Sequence, residues 1–309
     1  MHTPDFAPEK STTVRSLPRR PSSASGIRTS PARGIAGPSG RAASSHWFVQ
    51  RCPRLATLVL AELFVAPRQR VKAYEPPVGA SSELLHAGRQ QVRVHLLGEG
   101  PLVVLLHDWQ GGACQLARLA QGLANAGLRA ALFDMPAHGE APGLTSDLSE
   151  FIDVAAEVCA QLGSVQGLIG HGLGGLAGLL CAARGLTLAS SVAIAPVPSF
   201  EFAVQQFSQS YALEGDPHEL LLRRIERRIG LSRRDAALTG ISPATPTLLV
   251  HDVLDRSVPV RSSREVIANW RGARLMETCG LGHQRILNSP PVIHFITNFL
   301  RGFPPPQSC

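Results

Sequence analysis

Aromatic residues and cysteines are scarce in this sequence. Phe, Trp and Tyr make up 5% of the 309 residues, and the six cysteines are scattered without a CxxC pair. A core must therefore rest on aliphatic side chains, and neither a disulfide framework nor a cysteine-based metal site is indicated. The sequence matches no metal-ligand spacing and no phosphate-loop motif, so we expect no metal and no cofactor.

Long apolar runs are also absent. The most apolar candidate, residues 55–66, is 12 residues long and contains Glu62, whereas a membrane span needs about 18–20 apolar residues. It also lies too far along the chain for a secretory signal peptide. The sequence therefore predicts no membrane span, and the scattered cysteines in helix-like apolar patterns are typical of reduced thiols in a cytoplasmic protein.

Acidic residues are nearly missing from the first part of the chain. Residues 1–54 hold nine basic and two acidic side chains, which accounts for the whole net charge of +7, and the other 255 residues are balanced at 21 of each. A high pI favours nucleic-acid binding only where the basic groups lie together on the folded domain. We therefore expect no nucleic-acid partner for the main domain.

Residues 1–46 are rich in Ser, Pro, Arg and Gly and have almost no apolar periodicity. Such a segment cannot bury enough apolar surface to offset the entropy of ordering it, so the sequence predicts a disordered basic tail. Three interpretations remain open: a dispensable extension, an organelle transit peptide, and an anion-binding arm.

Deleting residues 1–46 is expected to leave the melting temperature of the remaining chain unchanged, because the predicted core lies entirely outside them. Thermal unfolding of the full and shortened chains measures this directly. A large fall in melting temperature would show that the tail packs on the folded domain.

From Gln91 onward, apolar runs typical of strands alternate with helix-like patterns. Residues 102–106 form a continuous apolar run, as in a strand buried on both faces. Strict alternation predicts an α/β fold with a mostly parallel central sheet and helices on both faces. A more polar helical stretch over 200–240 interrupts the alternation and is predicted to form a small helical cap.

The predicted organisation has four segments. They are the disordered tail (1–46), a short helix and linker (47–88, with the helix over 54–66 and the linker over 67–88), the α/β domain (89–302) and a C-terminal tail (303–309).

Polar and glycine-rich segments follow the predicted strands, where open parallel sheets bind their ligands. In chain order they are HDWQGG (107–112), DMPAHG (134–139), GHGLGG (170–175), HDVLDRSVP (251–259) and GLGH (280–283). On these motifs, residues 50–302 resemble the α/β-hydrolase family of serine esterases and related hydrolases. In that family such segments supply the oxyanion loop, a D-x-P-G-H-G turn, the nucleophile elbow G-x-S-x-G, the acid and the base, in that order.

The resemblance places a glycine, Gly172, at the position of the nucleophile. Glycine has no side chain and cannot form an acyl-enzyme. The resemblance further implies His283 as base, Asp255 as its acid partner, and the backbone N–H groups of Trp109 and Leu173 as the oxyanion hole. Asp108 stands where the family has glycine, and its carboxylate would oppose a developing oxyanion.

Other side chains are candidates for contact with a small acyl- or ester-type ligand. They follow the first buried strand or lie in the predicted cap: His107, Asp108, Phe202 and Phe207. His107, like His138, is also a candidate for fixing loops, and the cap residues for packing the cap onto the sheet.

Three functions remain open on the sequence. The first is a protein related to serine esterases that is impaired or inactive because Gly172 replaces the nucleophile. The second is an enzyme without a serine nucleophile, dioxygenase- or lyase-like, that uses the His283–Asp255 dyad as general base. The third is an active hydrolase whose native residue 172 is serine. Localisation is expected to be cytoplasmic, with organelle targeting through the tail as the alternative.

Overall fold

A computed structural model describes residue 49 and residues 51–68, 75–88 and 90–302. The predicted tails over 1–46 and 303–309 lie outside these residues. The described part contains eight strands: β1 (Ser81–Ala87), β2 (Gln90–Leu97), β3 (Leu102–Leu106), β4 (Arg129–Phe133), β5 (Val165–His171), β6 (Ser190–Ile194), β7 (Thr247–Asp252) and β8 (Ala273–Thr278).

The strands form one sheet in the order β1-β2-β4-β3-β5-β6-β7-β8. The first two strands pair antiparallel with each other, β2 pairs antiparallel with β4, and all further pairs are parallel. Strands β3, β5, β6 and β7 are buried along their whole length, as expected for parallel strands covered on both faces. The predicted mostly parallel sheet is confirmed.

Helices cover both faces of the sheet. Those of the described residues are α1 (Pro53–Phe64), α2 (Ala117–Asn125), α3 (Leu148–Leu162), α4 (Gly172–Ala183), α5 (Phe200–Ser210), α6 (Gly215–Ile229), α7 (Val260–Asn269), the short α8 (Gly282–Arg285) and α9 (Pro290–Arg301). Helices α3 and α4 share one aliphatic core on one face, and α2 and α9 share a second core on the other. Aliphatic residues dominate both cores, which suits a sequence poor in aromatic residues.

Helices α5 and α6 form the cap predicted over residues 200–240. The N-terminus of α5 is capped by the Ser199 hydroxyl, which accepts the backbone N–H of Phe202 at 3.1 Å. Helix α1 packs against α6, with Glu62 paired to Arg228 at 3.2 Å, and contacts α5 through the edge-to-face rings of Phe64 and Phe207. The helix predicted before the α/β domain is therefore part of the cap.

The linker predicted over 67–88 is wrong over its last part, because Ser81–Ala87 form β1. This strand lies at the edge of the sheet and is exposed at most positions, so its sequence has no apolar alternation to reveal it. None of the helices in the described ranges is long and apolar enough to cross a membrane.

Candidate active site

The turn from β5 into α4 carries the central feature of the site. Gly172 has φ = +53°, a left-handed conformation that side-chain-bearing residues rarely adopt. The turn is sharp because β5 ends at His171 and α4 begins at the next residue. It has the form of a nucleophile elbow and presents Leu173 at the N-terminus of a helix.

The Asp108 carboxylate fills the space beside Gly172. A Cβ atom built on Gly172 would overlap this carboxyl group. Asp108 Oδ1 accepts the backbone N–H of Leu173 at 2.6 Å, and Oδ2 lies 3.2 Å from Nε2 of His283. Asp108 therefore contacts the two groups that a serine side chain at the elbow and its oxyanion would contact.

His283 and Asp255, which the sequence pairs as base and acid, are hydrogen-bonded to each other. His283 Nδ1 donates to Oδ2 of Asp255 at 2.7 Å. The Asp255 side chain is fully buried, and its Oδ1 accepts the backbone N–H groups of Ser257 and Val258 at 2.7 and 3.0 Å. Asp255 and Asp108 thus hold the His283 ring from both sides.

A second carboxylate joins the loops that carry this dyad. Oδ2 of Asp252, at the end of β7, accepts the Thr278 hydroxyl at 2.8 Å and the Leu281 backbone N–H at 2.9 Å. The loop before His283 is thereby fixed to the strand that precedes Asp255. Sequence reasoning gave no role to Asp252, although it lies in the HDVLDRSVP segment.

The charges of the site follow from its hydrogen bonds. Burial alone would lower the pKa of His283, but bonds to Asp108 and Asp255 outweigh it and raise the pKa to about 10. For Asp108, burial is outweighed by the His283 hydrogen bond and the nearby histidine charges, which lower the pKa to about 2. The pKa of Asp255 is also lowered, because its bonds to His251 and His283 outweigh burial. At neutral pH the site is an imidazolium between two carboxylates.

This arrangement is expected to make stability depend on pH. The pKa of His283 rises from 6.5 to about 10 on folding, so its contribution is complete below about pH 6.5 and is lost as the pH rises through 10. The pKa of Asp108 falls from 3.8 to about 2, so its contribution is complete above about pH 4 and is lost towards pH 2. The free energy of unfolding of the wild type and of Asp108→Asn should therefore differ most between about pH 4 and 6.5. A difference that stays constant up to pH 10 would contradict the ion pair.

The same segments match a known family. The model of the alpha/beta hydrolase family matches residues 103–293, which include the elbow, Asp108, Asp255 and His283. The chain belongs to the α/β-hydrolase family. No sequence match to a curated protein was found.

Solved structures of the family are similar to this chain in fold. The esterase Pf2001 of Pyrococcus furiosus superposes with a TM-score of 0.60 at 17% identity, covering 77% of this chain and 97% of that one. A monoacylglycerol lipase of Paleococcus ferrophilus superposes with a TM-score of 0.53 at 20% identity, covering 71% of this chain and 99% of that one. A membrane phospholipase A, described as a bacterial virulence factor, superposes with a TM-score of 0.56 at 18% identity, covering 85% of this chain and 95% of that one. At these identities the likeness shows the fold alone.

A cavity of about 650 Å³ lies between the cap and this α/β-hydrolase site. Of the residues that the sequence singled out, those that line it are Asp108, Trp109, Leu173, Phe202, Phe207 and His283. The cap phenylalanines therefore reach the cavity while also packing within the cap. The backbone N–H of Leu173, expected in an oxyanion hole, is taken by Asp108.

His107 does not line the cavity. It is fully buried, its Nδ1 donates to the Asp108 carbonyl at 2.7 Å, and its Nε2 accepts the Met135 backbone N–H at 2.9 Å. His138 has the same kind of role, since its Nε2 accepts the Gln110 backbone N–H at 3.2 Å. The structure thus places His107 as a residue that fixes loops, not as one that could touch a ligand.

His171, to which the sequence analysis gave no role, also lies at the site, with its ring centroid 4.6 Å from that of His283. Its Nε2 donates to the His283 carbonyl at 3.0 Å, and its Nδ1 is buried without a hydrogen-bond partner among the described residues. Burial and the His283 charge lower its pKa to about 4, so the ring is neutral. The only sequence signal for a role of His171 in the site is its position directly before the elbow glycine.

Proposed function

We propose that this α/β-hydrolase-family protein does not act as a serine hydrolase, and that it binds a small acyl- or ester-type molecule in the cavity beneath the cap. One observation carries the proposal: the Asp108 carboxylate lies in the space that a nucleophile side chain at position 172 would need. Both loops depart from the family pattern, with Asp in place of Gly in the oxyanion loop and Gly in place of Ser at the elbow.

These two replacements remove two parts of serine catalysis. Gly172 offers no nucleophile. The Leu173 N–H already donates to Asp108 Oδ1 at 2.6 Å, and the negative charge there opposes a developing oxyanion. A water molecule in the cavity would therefore meet neither an activated serine nor a free oxyanion hole.

A fluorophosphonate probe tests this proposal, because it labels activated serines. We expect the full chain to stay unlabelled and to leave short p-nitrophenyl esters uncleaved, beside a serine esterase that reacts under the same conditions. Labelling of any serine that heat denaturation abolishes would contradict the proposal.

A second candidate is an enzyme that moves protons through His283 and Asp255. The 2.7 Å bond between these side chains favours it, because His283 lies in the cavity wall and Asp255 is buried behind it. The raised pKa of His283 means that the ring holds its proton at neutral pH, so it would donate a proton more readily than accept one. Activity by this route should rise with alkaline pH if His283 is a base, and fall with it if His283 is an acid. An activity indifferent to His283→Gln would exclude both.

The third possibility, a native serine at residue 172, fits the site less well. With Asp108 in place, a side chain at position 172 would collide with the carboxylate, whereas glycine leaves room for it. We therefore infer that glycine is the native residue. A serine codon in resequenced source DNA would overturn this inference.

We infer a reducing, cytoplasmic location from the cysteines. The five cysteines in the described ranges are free, and burial raises the pKa of Cys159 and Cys181 to about 12, so these thiols stay protonated and unreactive. A C-terminal fluorescent fusion, imaged with and without residues 1–46, tests the location. Accumulation in an organelle only with residues 1–46 present would favour the transit-peptide interpretation instead.

A further inference from the structure

Three side chains from distant parts of the chain meet beside the elbow. Asp108, His171 and His283 each offer one ligand atom, and these atoms lie within 4.8 Å of one another. They come from the loop after β3, the end of β5 and the loop after β8. We propose that this cluster binds a divalent transition-metal ion through two imidazoles and one carboxylate.

The spacing of the first pair suits a metal ion. Zn²⁺ binds imidazole nitrogen and carboxylate oxygen at about 2.0–2.2 Å, which puts neighbouring tetrahedral ligand atoms about 3.3 Å apart. Asp108 Oδ2 and His283 Nε2 are 3.2 Å apart. A metal ion could therefore replace the shared proton between them with little movement of either side chain.

The third side chain, His171, has a ring nitrogen without a competing partner, and the cluster, whose atoms lie within 4.8 Å of one another, must contract to reach the spacing of about 3.3 Å. The Nε2 of His171 is occupied by the His283 carbonyl at 3.0 Å, and its Nδ1 is buried with no hydrogen-bond partner among the described residues. Leaving a buried polar nitrogen unsatisfied is costly, so such a group points to a missing partner. In the neutral tautomer this Nδ1 has a lone pair, which is what a metal ion requires.

The surroundings resemble the outer shell of metal sites. A metal-ligating histidine usually donates its other ring N–H to a carboxylate, which fixes the ring and its tautomer. The Nδ1 of His283 donates to the buried Asp255 at 2.7 Å in this way. Asp108 is oriented as well, because its other oxygen accepts the Leu173 N–H.

Two of the three ligands, Asp108 and His283, form part of the cavity wall. A metal ion held by three protein atoms keeps a coordination position for water or another ligand, and here that position would face the cavity. The occupant would be a small molecule with a carboxylate, carbonyl or hydroxyl oxygen. This inference goes beyond the proposed function, since loss of serine catalysis does not require a metal.

The sequence alone gives no sign of this site. His283 lies 175 residues from Asp108 and 112 residues from His171, so no short ligand spacing exists to be recognised. The absence of a metal motif, from which we expected no metal, concerns only ligands that are close in sequence.

Titration of the full, chelator-treated chain with Zn²⁺ tests the proposal. The wild type should bind one equivalent with a dissociation constant of about 10 µM or tighter, and Co²⁺ in its place should give the visible absorption of an imidazole-bound ion. Asp108→Asn and His171→Gln should each weaken binding at least ~100-fold, and Asp255→Asn about 10–100-fold. The exposed His294→Gln serves as the matched control and should bind like the wild type.

The outcomes distinguish metal binding at the Asp108, His171 and His283 cluster from weak binding by histidines on the surface. The chain has 11 histidines, so weak binding that Asp108→Asn and His171→Gln leave unchanged would overturn the proposal, as would no binding by the wild type. Circular dichroism and melting curves of each variant verify folding. If His171→Gln unfolds, Asp108→Asn decides the question, because it keeps the shape of the side chain and removes the charge.

Discussion

The double variant Asp108→Gly/Gly172→Ser is expected to hydrolyse short p-nitrophenyl esters, whereas Gly172→Ser alone is expected to stay inactive. In the single variant the new hydroxyl would compete with the Asp108 carboxylate for the same space. The carboxylate would also keep the Leu173 N–H and His283 Nε2 engaged. Removing Asp108 frees all three positions and restores the glycine that the family has in this loop.

The expected gain is large. An intact triad exceeds its knockouts by up to about 10⁶-fold, and a single oxyanion donor contributes about 10²–10³-fold. A rate at least ~10³-fold above the wild type would be a conservative outcome for a site that was never optimised in this form. Kinetic assays with p-nitrophenyl acetate and butyrate measure it.

Two controls define this result. Adding His283→Ala to the double variant should abolish the gain, which shows that the rate depends on the triad. Asp108→Gly alone should stay inactive because it has no nucleophile. Equal activity of Gly172→Ser and the double variant would show that Asp108 does not block the elbow.

Asp255→Ala is expected to destabilise the fold by about 3–5 kcal/mol, as is usual when one partner of a buried ion pair is removed. The lost carboxylate leaves His283 Nδ1 and the N–H groups of Ser257 and Val258 without their acceptor. Each unsatisfied buried donor carries a desolvation penalty. Chemical denaturation near pH 6 measures the loss, since the His283 ion pair is present at that pH.

The matched control is Asp153→Ala, which removes an exposed aspartate from α3. Surface substitutions of this kind usually change stability by less than about 0.5 kcal/mol. If Asp255→Ala were as mild as the control, Asp255 would not hold the imidazolium in the folded state.

Much of the fold could be predicted because its signals are local. The continuous apolar run over 102–106 coincides with the observed strand β3. Parallel strands buried on both faces are mostly apolar, and β3, which is apolar at every position, is therefore easy to recognise. The edge strand β1 has no such constraint, and the sequence pattern missed it.

The site could be predicted in part, because its segments follow strands that end at one edge of the sheet. The sequence pointed to His283 and Asp255 as a pair, and the structure places them 2.7 Å apart. The direction of the Asp108 side chain could not be predicted from the sequence, because it depends on the space that Gly172 leaves for the carboxylate. The orientation of the His171 ring could not be predicted either, because it is fixed by a hydrogen bond from Nε2 to the carbonyl of His283, 112 residues away.

The claim that the Asp108 carboxylate occupies the space beside position 172 is tested most directly by a double-mutant cycle on the free energy of unfolding. The wild type, Asp108→Gly, Gly172→Ser and the double variant are compared under one set of conditions. If the two side chains claim one space, Gly172→Ser should cost at least ~1 kcal/mol more in the presence of Asp108 than in its absence, within the range seen for residues in contact. Additive effects within about 0.3–0.5 kcal/mol would show that they do not share that space.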